Sequence, residues 1–259
     1  MDLTGTSRTG PGRLDPLHRR RLTRAVERAL RGTGRARLSV SACDLTTGAG
    51  YSYGTARRFV TASIVKVDIL AALLLRLGRQ GRSLDGPQRE QAARMIIDSD
   101  NDAASALWAQ IGGAAGLSEA NEALGLRETT ATGAGWGLTG TSARDQIRLL
   151  RALAGPGGPL AASDRELIWE FMGAVNAGQR WGVGAAAGSA GRVALKNGWL
   201  PRSADGGLWV INSIGRIRDG HDYLIAVLSD RNATKEAGIA LVERVAVTVM
   251  DALRQTTSR

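Results

Sequence analysis

The sequence predicts a two-lobe α/β fold of the α+β kind, with an antiparallel sheet of about five strands flanked by the terminal helices and accompanied by an all-helical lobe. Three observations predict it. Near the start, Leu38, Val40 and Ala42 alternate with Ser39, Ser41 and Cys43, and Tyr51-Ser52-Tyr53 follows the turn at Thr46-Thr47-Gly48, which is a hairpin. Helical periodicity then fills the middle of the chain, and strand signals return only towards its end. Strands so far apart in sequence, with a helix at each end, are satisfied most economically by one sheet under those helices. The helical middle then forms the second lobe, and sites gather in the cleft between lobes.

In chain order, residues 1–14 are rich in Gly, Thr and Arg and read as a flexible N-terminus, followed by a single domain over residues 15–259. Its α/β lobe is expected over 15–62 and 191–259, and its helical lobe over 63–190. The first helix should run from Asp15 to Arg31 and stop at Gly32-Thr33-Gly34. Ser63 to Leu77 is a strongly apolar helix whose Ile69, Leu70, Leu73 and Leu74 imply burial on most sides. Pro87 opens another that runs to Ile97, and further helices fit Asp102 to Ile111, Ser142 to Leu153 and Ser163 to Met172. Strands fit Val193 to Lys196, Leu208 to Ile214 and Tyr223 to Leu228, the last two joined at Asp219-Gly220, and a closing helix fits Lys235 to Leu253.

Composition narrows the function classes. A net charge of +10 raises nucleic acid as a partner, but the arginines are scattered and no binding motif accompanies them. The densest basic run, Arg19-Arg20-Arg21 with Arg24 and Arg28, alternates with helix-spaced Leu22, Val26 and Leu30 and is a solvated helix face. No segment is long and apolar enough to span a membrane, and no secretory signal stands at the N-terminus. The expectation is a monomer that is cytoplasmic as read, or extracytoplasmic if a leader has been removed. Cys43 is the only cysteine, which excludes an internal disulfide, and it falls on an apolar strand where it packs as core. Metal ligation lacks a cluster of ligands, so neither a metal nor a cofactor is expected.

The chemistry lies in the lysines. Only three occur against 31 arginines, and two of them sit in short patterns, Ser63-Ile64-Val65-Lys66 and Lys196-Asn197-Gly198. A guanidinium never loses its proton, whereas a buried ammonium readily does, so a retained lysine suggests work that Arg cannot do. Ser63 falls at a helix start, where free backbone N–H groups stabilise developing negative charge, and Lys66 lies one turn on along the same face. A Ser N-cap with a chance Lys would give the same pattern. Ser99-Asp100-Asn101 supplies a hydroxyl, a carboxylate and an amide in a turn between helices, and Gly198 at a strand end admits a substrate backbone to the strand edge. The two histidines, His18 in the first helix and His221 at a hairpin tip, leave a Ser-His-Asp triad without a base.

Together these three motifs, on a helix start, an interhelical turn and a strand end, resemble the class A β-lactamases and penicillin-binding serine hydrolases, whose signature is S-x-x-K, S-D-N and K-T-G. The resemblance covers residues 35 to 255 and includes Arg58-Phe59 before the serine, the run Met95 to Ala104, and Asn212-Ser213-Ile214-Gly215 with Ala226-Val227-Leu228. It implies a β-lactamase/transpeptidase-like fold and an acyl-enzyme on Ser63 with Lys66 as general base, held neutral by burial and by the charge of Lys196. It further implies proton relay through Ser99, Asn101 holding a substrate amide, and an oxyanion hole from the backbone N–H groups of Ser63 and Trp199. The substrate class is a small-molecule or peptide-like amide, ester or thioester, with β-lactams as covalent ligands.

The chain also departs from that family. Its members carry a loop of the form R-W-E-x-x-L-N whose Glu activates the deacylating water, whereas this chain reads Gly133-Ala134-Gly135-Trp136-Gly137-Leu138-Thr139. Glu128 precedes that stretch and reads as a surface residue; Glu166 belongs to a later helix. Ser63 and Ser99 are closer in sequence than the family leads one to expect, and Asn197 replaces the usual Thr or Ser, its amide still able to donate to a substrate carboxylate. Trp199 either narrows the site, stacks on a substrate or packs under the sheet. The departures imply poor β-lactam turnover, with a weakly active β-lactamase or a non-turnover binding module for β-lactams or peptidoglycan fragments as alternatives.

Overall fold

The computed structural model describes residues 14–255. Helix α1 (Pro16–Leu30) starts where Asp15 accepts a hydrogen bond from Leu17 and Pro16 needs no N–H partner. The hairpin β1 (Arg37–Asp44) and β2 (Gly50–Tyr53) follows as expected. A two-residue strand β3 (Phe59–Val60) leads through a 3₁₀ turn (Ala62–Ile64) into α2 (Val65–Arg79). The sequence began that helix at Ser63; Ser63 instead lies in the tighter turn ahead of it. Helix α3 (Gly86–Ala93) opens with a capping box between Asp85 and Gln88 and widens into a π-turn (Arg94–Asp98) that ends at Ser99. Helices α4 (Asn101–Ile111), α5 (Gly113–Ala123), α6 (Ala143–Ala154) and α7 (Ala162–Gly173) complete the helical part, with strand β4 (Gly140–Thr141) paired to β3.

The remaining elements are β5 (Arg192–Arg202), β6 (Leu208–Asp219), β7 (His221–Asn232) and α8 (Lys235–Gln255). All five long strands form one antiparallel sheet in the order β2-β1-β7-β6-β5. Strand β5 runs well past Lys196, where the sequence reading ended it, because it is an edge strand and so tolerates Pro201, which cannot donate to a ladder. Helix α5 went unread because Gly112 and Gly113 adopt positive φ and few large apolar side chains anchor it.

Two apolar cores lie on opposite faces of the sheet. One joins Val26 of α1 and Val242, Val245 and Val249 of α8 to Ile211, Ile225 and Val227; Val183 and Ala186 from the segment before β5 join it too. Leu14, read from sequence as the end of a flexible terminus, is buried in this core; residues 1–13 of that segment lie outside the described residues. The other joins Cys43, Ile214, Leu224 and Leu228 to the helices. At its centre is α2, every residue of which from Val65 to Leu75 is buried. Burial at ~25 cal/mol per Å² of apolar surface makes this helix the anchor of the helical part, and it carries two charged types, Lys66 and Asp68, into that interior.

Candidate active site

Ser63 is presented by a backbone under constraint. Ala62 just before it has φ of 47°, a left-handed conformation that costs a non-glycine residue about 1 kcal/mol or more and is held by its surroundings. The surroundings are identifiable. Thr61 donates its N–H to Thr139 O at 2.8 Å, and the buried Asn212 of β6 donates to Val60 O at 2.8 Å and Thr61 O at 3.0 Å. The sheet thus clamps the serine turn through a side chain that sequence reasoning took only as part of a final strand.

Gly198 fits the turn more closely still. A Cβ on this residue would lie 2.8 Å from the backbone nitrogens of Ser63 and Ile64 and from Thr61 O, well inside contact distance. Only glycine lets β5 run this close to the serine backbone. The Gly198 backbone and the Ser63 backbone N–H are therefore neighbours.

Lys66, one turn into α2 and fully buried, spends its amine on three acceptors: Ser99 O at 2.7 Å, Ser99 Oγ at 3.2 Å and Asn101 Oδ1 at 2.8 Å. Ser99 holds φ of 58°, which turns its carbonyl and hydroxyl towards this amine at the end of the π-turn. Lys196, also fully buried, donates to the same Ser99 Oγ at 3.0 Å and to Asn197 O at 3.0 Å. One hydroxyl thus bridges two amines. Burial pulls Lys66 down from the ordinary lysine range to about 8, against the opposing pull of Asp100. Lys196 is lowered well below that range, first by burial and then by the charge of Lys66. Burial thus lowers both amines, as the sequence reading expected of Lys66.

The site thus unites Ser63, Lys66, Ser99, Asn101, Lys196 and Gly198. Two expected substrate-binding side chains are elsewhere. Asn197 is fully buried and both of its amide hydrogens are committed, to Gln179 O at 2.7 Å and Trp181 O at 2.9 Å, so it clamps the segment before β5 and has none left for a substrate carboxylate. Strand alternation explains this: Lys196 and Gly198 share one face of β5, and Asn197 and Trp199 share the other. The Trp199 ring packs edge-on against Trp181 at 5.8 Å with the Lys235 ammonium 4.7 Å above it, so of the three sequence alternatives it is the packing one that the structure realises.

Glu128 is not a free surface acid. It is half-buried, accepts from Ser142 Oγ and pairs with Arg58 at 3.2 Å and Arg148 at 3.9 Å. The histidines are engaged away from these lysines, His18 with Asp15 and His221 with Asp44 at 2.8 Å. Sequence reasoning missed Trp136 as well, whose ring centroid lies 4.8 Å from Lys66 Nζ. Its place in the stretch where the resemblance led one to expect a carboxylate was the available signal.

Comparison with known proteins bears on the fold and the family. Solved structures of similar shape include PBP-A (TM-score 0.79, 20% identity, covering 95% of this chain and 99% of that one). A class A beta-lactamase from Bacteroides cellulosilyticus is similar (TM-score 0.79, 18% identity, 92% and 99% covered), as is the TLA-1 extended spectrum beta-lactamase (TM-score 0.81, 16% identity, 91% and 99% covered). In sequence, the chain is 31% identical over 202 residues to the protein named as a lipoprotein, LppW, of Mycobacterium tuberculosis and Mycobacterium bovis; the match takes in 75% of this chain and 63% of theirs. A model of the Beta-lactamase enzyme family matches residues 21–89 and 87–253, nearly the whole described chain. With its β-lactamase-like fold and a matching family model over both lobes, the chain belongs to the Beta-lactamase enzyme family.

Proposed function

We propose that the protein is a serine hydrolase or acyltransferase that works through an acyl-enzyme on Ser63, acts on peptide-like amides, esters or thioesters, and turns over β-lactams poorly. The observation that carries this is the buried Lys66 amine, one turn after Ser63 and joined through Ser99 Oγ to a second buried amine. With its proton affinity lowered to about 8, roughly a tenth of Lys66 is neutral at pH 7, enough to act as a base.

In acylation, neutral Lys66 takes the Ser63 hydroxyl proton as Ser63 Oγ attacks the substrate carbonyl. Negative charge gathers on the carbonyl oxygen, for which the backbone N–H groups of Ser63 and Trp199 are the assigned donors. The carbonyl then reforms as the bond to the leaving nitrogen, oxygen or sulfur breaks. That atom takes the Ser99 hydroxyl proton, and Ser99 is reprotonated from Lys66, returning the amine to its neutral form. Lys196 holds the other side of the Ser99 hydroxyl in line. Asn101 has its Oδ1 on Lys66 and its Nδ2 without a partner among the described residues, available to a substrate carbonyl.

Poor turnover of β-lactams rests on what surrounds Lys66. Its contacts are Ser99, Asn101 and the Trp136 ring, none of them a carboxylate, and Glu128 is bound to two arginines. A PBP-A variant is known as an acyl-enzyme complex with penicillin G, and that protein shares this fold. Peptide mapping after a fluorophosphonate or penicillin tests the proposal. Label on Ser63 supports it, and label on another residue refutes it. A single burst of product from a chromogenic ester would instead favour a binding module that acylates without turnover.

A further inference from the structure

The Trp136 ring has no part in the acylation chemistry, yet it touches the base. Its centroid is 4.8 Å from Lys66 Nζ, within range for a cation–π contact. The ring is held from two sides. Its Nε1 donates to Ser105 Oγ at 3.2 Å, and Ser105 Oγ donates to the carbonyl of Asn101, the residue whose side chain takes Lys66 Nζ. On the other side Thr139, bonded to Trp136 O at 3.2 Å, accepts from Thr61 N two residues before Ser63. Gly135 at φ of 125°, a conformation open to glycine, sets the turn that delivers the ring.

The Lys66 amine is therefore enclosed by polar acceptors and by the ring. Ser99 and Asn101 take its three hydrogen-bond directions and Trp136 covers a fourth approach with an apolar face that cannot hold a water. We propose that Trp136 is a positioning residue that keeps water off Lys66, so that an acyl group on Ser63 survives hydrolysis. This rests on the acyl-enzyme reading given above. In hydrolysis a water oxygen would add to the ester carbonyl, its proton would pass to Lys66, and the C–O bond to Ser63 would break with Ser63 Oγ taking that proton back. The ring covers the base that this water would need.

The chain's three lysines make the test specific. Lysine labelled with ¹³C at Cε gives three signals, and Lys66→Met identifies one of them. The ring-current displacement of the Lys66 signal is expected to persist in Trp136→Phe and vanish in Trp136→Ala, with or without acylation. After a penicillin pulse, intact mass is expected to show an adduct whose lifetime is kept within about threefold in Trp136→Phe and shortened at least about tenfold in Trp136→Ala. A Lys66 signal unchanged in Trp136→Ala overturns the inference, as does an adduct equally long-lived without the ring, or equally short-lived with Phe. Absence of any adduct in the wild-type protein refutes the acyl-enzyme reading instead, and the ¹³C shifts still decide whether Trp136 sits on Lys66.

Discussion

Asp68 is two residues beyond Lys66 on the same buried helix and is fully enclosed, with no partner in good hydrogen-bond geometry at either carboxyl oxygen. Burial pushes its carboxyl up from 3.8 to about 8, opposed by its own backbone N–H, helped by the nearby charge of Asp145 and opposed again by the Gln146 amide. Between those two values the unfolded chain has lost the proton that the folded one keeps, so stability falls as pH rises. At pH 7 about three units separate the medium from the unfolded value, which at 1.36 kcal/mol per unit is roughly 4 kcal/mol of lost stability. Asn has the same shape and no charge to shed. Asp68→Asn should therefore be more stable than wild type by up to roughly 4 kcal/mol at pH 7, on the order of 10 °C in Tm for a chain of this size, with the gain shrinking to near zero by pH 4. Thermal melts of both proteins from pH 4 to pH 8 measure it. A variant less stable than wild type at pH 7 would show that Asp68 is ionised and paired, a gain independent of pH would show that folding does not raise its proton affinity, and either would refute the burial argument.

Further outcomes follow from the site. Lys66→Arg should lose Ser63 acylation by about 10² or more, nearly as much as Lys66→Ala, because a guanidinium keeps the charge without the basic form; stopped-flow acylation measures both. In the wild type the acylation rate should climb with pH and level off near 8, the value to which burial lowers Lys66, and a profile flat from pH 6 to 9 would remove Lys66 as the base. Gly198→Ala should fold yet acylate at least ~100-fold more slowly, since its Cβ would meet the Ser63 and Ile64 nitrogens at 2.8 Å, and normal kinetics would contradict that close approach. Asn212→Leu should cost about 1–3 kcal/mol in denaturant melts by leaving Val60 O and Thr61 O without their donor.

The sheet and most helices were legible because their signals are local: apolar alternation in β1, the Asp219-Gly220 turn, and the Pro87 helix start. Helix α5 was not, since its glycine entry and small side chains carry a weak period. Neither were β3 and β4, two-residue strands defined only by pairing with each other across some eighty residues. At the site, Ser63, Lys66, Ser99, Asn101, Lys196 and Gly198 could be named from short motifs. Asn197 could not be placed correctly, because its amide is claimed by carbonyls of a loop that the sequence does not show to be adjacent. Asp68 was hidden by the apolar residues around it, and Trp136 by a loop read for the carboxylate it lacks.

Ser63 is proposed to form an acyl-enzyme that water removes slowly. Time-resolved intact mass after a penicillin pulse tests it directly. The account predicts one adduct per chain, mapped to Ser63, absent in Ser63→Ala and persisting for minutes or longer, because deacylation lacks the roughly 10² to 10⁴ that a dedicated general base supplies. An adduct that survives Ser63→Ala would contradict the nucleophile. Rapid return to the unmodified mass with hydrolysed penicillin would contradict the slow deacylation and make the protein a working β-lactamase.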